Sequence, residues 1–172
     1  MSTPEFSRPF DVRQLDHRAV TLVADEQERA ALARRFGLVR IDRLEAEMTL
    51  ERASEALNAS GTLIADFVQS CAVSAEDLAV AAREPIALRF VPAAAGHAPD
   101  EEVELDAEEL DEIEFSGTTV DLGEAVAQSL ALAIDPFATG PGADEARRRA
   151  GLIDEAANGP FAALKALKTQ RP

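Results

Sequence analysis

A chain of 172 residues is long enough for one domain that buries about 70% of its unfolded-chain surface, and its 47% hydrophobic content argues against disorder. A formal net charge of −15, a single cysteine and eight Phe with no Trp or Tyr weigh against a dominant nucleic-acid face, an intrachain disulfide and a base-stacking platform. No apolar run approaches the roughly 18 residues of a membrane span, so a soluble, cytoplasmic protein is expected.

In chain order, residues 6–15 and 19–23 read as short strands. Asp25 then opens a helix, with Glu28 at capping-box spacing, Leu32 and Phe36 on one face and Gly37 as the stop. From Leu44 the period becomes two: Leu44, Ala46, Met48 and Leu50 alternate with Glu45, Glu47, Thr49 and Glu51, the pattern of a half-buried strand. Asn58-Ala59-Ser60-Gly61 carries turn chemistry, and a second strand through Leu63, Ala65, Phe67 and Cys71 makes an antiparallel hairpin. Ile86, Leu88 and Phe90 give a third strand, and Val103–Leu105 and Glu112–Phe115 are candidates for two more. A second helix starts at Asp121, with Glu124 in the same cap spacing. It runs through Leu122, Val126, Leu130 and Ile134 and is ended by Pro136.

The expected fold is therefore α+β: an antiparallel sheet or partial barrel with two main helices. One domain over 1–137 is expected, followed by a loose segment, 138–172, with a helical turn around Arg147–Arg149 and a short amphipathic end at Phe161, Leu164 and Leu167.

The chemistry of the residues points away from catalysis. One Cys and two His fall short of a structural zinc set, and neither a Gly-rich phosphate loop nor a nucleophile elbow is present. Cys71 reads as a small buried hydrophobe, and Asp121 with Glu124 as a cap. No enzyme activity, metal, cofactor, small-molecule substrate or membrane contact is expected. Charge is informative by its distribution: residues 100–124 hold twelve acids and no Lys or Arg, which suits a basic protein partner. The tail reverses the sign, setting Lys165, Lys168 and Arg171 beside its apolar stripe.

Five segments stand out in order: Glu26–Leu38, the Ala65–Val73 strand that ends in cysteine, Val120–Glu124 through Leu130–Phe137 with its closing Asp-Pro-aromatic, Pro141-Gly142-Ala143, and Asn158–Lys168. They resemble the YceD-like family, the large ribosomal RNA subunit accumulation proteins, in its alphaproteobacterial form. They occur in the family's order, with Cys71-Ala72-Val73-Ser74 where many members carry Cys-x-x-Cys. The resemblance implies a bacterial ribosome-biogenesis factor that supports accumulation or maturation of 23S rRNA and touches the RNA indirectly, through a basic ribosomal or assembly protein. The residues expected to meet that partner are Asp121, Leu122, Glu124, Phe161, Leu164, Lys165 and Lys168. The alternatives are a direct RNA binder using Arg29, Arg34, Arg35, Arg40 and Arg43, or an acidic chaperone for a basic ribosomal protein.

Overall fold

A computed structural model describes residues 4–14, 17–93 and 111–152. Among the described residues it is an α+β fold with seven strands, three α-helices and a short 3-10 helix, and the sheet does not close into a barrel. β1 (Pro9–Asp11) pairs antiparallel with β7 (Thr119–Asp121), and the main sheet has the order β2-β3-β4-β5-β6. Its strands are β2 (His17–Val23), β3 (Arg40–Ala53), β4 (Ala56–Ser70), β5 (Asp77–Pro92) and β6 (Asp111–Phe115). The helices are α1 (Glu26–Phe36), α2 (Leu122–Ala133) and α3 (Ala143–Arg149).

The described chain divides into two compact units. The larger takes in the residues up to Val68 with Ala79–Ile134, and the smaller takes in Gln69–Leu78 with the residues from Asp135 onward. The grouping of the β4–β5 turn with the segment after α2 has no signal in the sequence, since it joins stretches that are far apart along the chain, Leu78 and Asp135 being their nearest ends.

Within the larger unit, α1 forms as its caps demand. The Asp25 side chain accepts from Glu28 N while Glu28 accepts from Asp25 N, each at 2.8 Å, and Gly37 closes the helix at φ +67°. In β3 the alternation buries Leu44, Ala46, Met48 and Leu50. A register shift between Ile41 and Arg43 lets Ile41 face the core as well, three positions before Leu44. Phe6, Leu32, Phe67, Phe90, Leu122 and Leu130 complete the core, each at most 2% exposed.

Two expectations need correction. The β3–β4 hairpin turns at Ser54-Glu55, between the paired Ala53 and Ala56, with Ser54 in the left-handed region at φ 59°. Asn58–Gly61 instead continue strand β4, where Gly61 lies opposite Met48. The glycine there serves close approach, because a Cβ would overlap the carbonyl oxygen of Glu47 and come within 2.7 Å of Met48 Cα. The sheet is also not wholly antiparallel: β6 runs parallel to β5, from Leu88↔Asp111 to Pro92↔Phe115. The candidate strand Val103–Leu105 lies outside the described residues.

Candidate functional site

α2 begins where β7 ends, so Asp121 closes a strand and caps a helix with one side chain. Its carboxylate accepts from the backbone N–H groups of Gly123 at 3.0 Å, Glu124 at 3.1 Å and Arg8 at 2.8 Å, and from the Ser7 hydroxyl. The cap thus also fastens the N-terminal segment, whose carbonyl at Arg8 accepts from Leu122 N at 3.0 Å. Asp121→Ala should lower stability by about 2 kcal/mol, the upper end of the usual cost of losing an N-cap, because four donors lose their acceptor at once. Urea unfolding of the variant reads this directly; an unchanged midpoint would remove Asp121 from the framework.

Leu122 is fully buried, so the expectation that it meets a partner is corrected: position N1 of this helix turns inward onto the core. Glu124 accepts from both terminal nitrogens of Arg35, at 2.7 and 2.9 Å, and Arg35 also reaches Glu5 at 3.0 Å. The Arg35 hydrogen bonds hold the Glu124 carboxyl below the usual range, and in return raise Arg35. Asp121 and Glu124 also line a groove of about 260 Å³ between β6 and α2, together with Phe90, Phe115, Val120 and Glu114. The half-buried Phe115 ring, backed by the buried Phe90 and beside carboxylates, gives this groove the means to hold a side chain that is apolar along its stem and cationic at its tip.

The five arginines of the RNA-binding alternative do not form one face. Arg35 is committed to Glu124 and Glu5, and Arg43 to Glu45 at 2.6 Å. Arg29, Arg34 and Arg40 instead line one cleft between α1 and β3. Phe161, Leu164, Lys165 and Lys168 lie outside the described residues.

In the smaller unit, Cys71 is 4% exposed, as a buried hydrophobe would be, but its sulfur is also a hydrogen-bond acceptor. Ser74 N donates to it at 3.3 Å and Gly140 N at 3.4 Å, while Ala72 N donates to Ala138 O and Gln69 Nε2 to Asp135 O. The Ser74 side chain, with the backbone N–H groups of Gly140, Ser74 and Val73, lowers the thiol from 9.0 to about 6. A folded-state pKa below the unfolded one adds stability that is complete above the unfolded value and is lost as pH falls through the folded value. Stability should therefore rise between about pH 6 and pH 9.0, and Cys71→Ser should flatten that rise. Denaturant midpoints of both proteins across this window test it; an equal slope in the variant would show that the thiol does not contribute. Composition gave no hint of this, since the Gly140 donor is 69 positions away.

No group of three or more His, Cys, Asp or Glu side chains is placed to hold a metal ion among the described residues, and no helix there is long and apolar enough to cross a membrane. No protein-family model, curated protein or solved structure matches the chain.

Proposed function

We propose that the chain is a non-catalytic ribosome-biogenesis factor that supports accumulation or maturation of large-subunit ribosomal RNA by holding a basic ribosomal or assembly protein. The observation that carries the binding part is the groove between β6 and α2, where phenyl rings and three carboxylates lie together in the most acidic stretch of the chain. The ribosomal part is supported by the ordered resemblance to the YceD-like family. Two of the resembling segments also come together in the smaller unit: the Cys71 strand end is joined to Asp135 by the Gln69 side chain, and to the turn after Phe137 by the hydrogen bonds from Ala72 and Gly140.

The test is a pull-down of large-subunit assembly intermediates by the full chain, with and without nuclease, repeated with Glu114→Lys. Glu114 is exposed at the groove, so reversing its charge changes the field there while leaving the core intact. A basic large-subunit protein retained after nuclease and lost with Glu114→Lys is the expected result. Retention that disappears with nuclease would favour direct RNA binding, and no large-subunit component in either arm would overturn the ribosomal reading.

A further inference from the structure

The cleft between α1 and β3 measures about 470 Å³, within the roughly 300–1,000 Å³ of small-ligand sites. Its floor is apolar, built from Ala33, Leu38 and Ile41, with Val39 47% exposed at its edge. Three guanidinium groups line it, and they differ in what they are committed to. Arg40 is held through its Nε by both oxygens of Asp42, at 3.0 and 3.2 Å, which anchors one edge of the guanidinium and leaves its plane unused. Arg34 is exposed and meets no carboxylate among the described residues. Arg29 is half-buried, donates through Nη1 to the Ala24 carbonyl at 2.6 Å, and has a buried Nε with no acceptor among the described residues.

A half-buried arginine without an anionic partner is unusual, because burying a charge is costly unless it is paired and hydrogen-bonded. It is more so in a chain of net charge −15, where carboxylates are plentiful. Arg29 and Arg34 lie five positions apart along α1, and Glu26, on the same helix, is the one other acid on the cleft wall beside Asp42. The wall therefore carries three positive and two negative groups, with one of the negatives already spent on Arg40.

We propose that this cleft binds a nucleotide, its phosphate between Arg29 and Arg34 and its base over the apolar floor against the plane of Arg40. Paired guanidinium groups match the fork of a phosphate, and a guanidinium plane is a stacking surface for a base. The acidity of the whole chain limits the ligand but does not forbid it. Charges beyond about 8 Å are largely screened at physiological salt, so one phosphate feels the local arginines. A long polyanion laid across the surface would meet the acids as well. The ligand is thus a free nucleotide or the terminal nucleotide of an RNA strand. This departs from the expectation that the chain takes no small ligand, and it stands independently of the ribosomal reading.

The test is calorimetric titration of the full chain with adenosine 5′-monophosphate, adenosine and inorganic phosphate, for the native protein, Arg34→Gln and Arg83→Gln. Arg34 has no side-chain partner to lose among the described residues, so its variant should melt as the native chain does, and Arg83 is an exposed arginine on β5 that serves as control. The expected result is that the monophosphate binds more tightly than adenosine or phosphate, that Arg34→Gln weakens it about tenfold, the loss of one hydrogen bond to a charged group, and that Arg83→Gln leaves it unchanged. A 5′-phosphorylated RNA oligonucleotide that competes more tightly than the monophosphate identifies the RNA end as the source. Weaker competition identifies the free nucleotide. Absence of monophosphate binding, or binding that Arg34→Gln leaves unaltered or that Arg83→Gln weakens as much, overturns the proposal.

Discussion

Phe67→Ala should lower the stability of the fold by about 3–5 kcal/mol, the usual cost of deleting a buried phenyl ring. Phe67 is 1% exposed, stands on β4 opposite Ile41, and belongs to the same core as Leu32, Leu122 and Leu130. The loss combines the transfer of the ring into water with the cavity it leaves, which flanking strands cannot collapse to fill. For a chain of this length, each kcal/mol moves the melting temperature by about 2–4 °C, so a fall of roughly 6–20 °C is expected. Phe67→Leu keeps most of the volume and should cost about 1.5 kcal/mol or less. Leu132→Ala is the surface control, since that side chain is 82% exposed and its removal should change stability by less than about 0.5 kcal/mol. A Phe67→Ala loss no larger than that of Leu132→Ala would mean that β4 does not present this face to the core.

Gly61→Val should cost about 3 kcal/mol or more, by overpacking against atoms that cannot move. The obstacles are the Glu47 carbonyl oxygen and Met48 Cα, both backbone atoms of β3, in a hairpin whose register runs unbroken from Arg43↔Asp66 to Ala53↔Ala56. A flexible side chain could swing aside; a strand hydrogen-bonded on both edges cannot. Gly37→Ala makes the contrast, because nothing lies within 4 Å of its added methyl and only the left-handed φ of +67° is strained, a cost of about 1 kcal/mol. Thermal unfolding of the two variants ranks them. If Gly61→Val proves the milder, the close approach of the two strands is wrong and the turn reading of Asn58–Gly61 is restored.

Local signals carried far in this chain. Asp25 with Glu28, Gly37, and Asp121 before an i, i+4 apolar row are each complete within one helical turn, and both helices form where those residues stand. The alternation from Leu44 to Leu50 is likewise local and is buried as it reads. What stayed hidden depends on distant partners. Thr119–Asp121 has only three residues and is a strand because Pro9–Asp11 lies beside it. Gly61 carries turn chemistry by composition, but its reason for being glycine is a backbone on another strand. Leu122 follows a cap, where exposure is usual, and is buried because the N-terminal segment covers it: Leu122 N donates to Arg8 O and Phe6 is packed in the same core. The candidate groove needs β6 beside β5 in parallel, and no pattern in Glu112–Phe115 announces direction. Charge was legible as a total and as a gradient, but not as pairings. Arg35 and Glu124 are 89 positions apart, and their union separates Arg35 from the arginines of the α1–β3 cleft.

The fastening of Ser7 and Arg8 to Asp121 has a consequence for the order of events on the ribosome. The two hydrogen bonds span 114 and 113 positions, so Ser7 and Arg8 wait long after their own synthesis for their acceptor. At elongation rates of about 5–20 residues per second, that delay is roughly 6–23 seconds. The β2–α1–β3–β4 block, whose pairings are closer in sequence, can close during the wait, with Phe6 still without its burial site. Residues 6–11 can be sealed onto the fold only once Asp121 has been made. Before that moment the nascent chain presents an uncovered core position and an unpaired β1, a window in which a chaperone or a neighbouring nascent chain has something to hold.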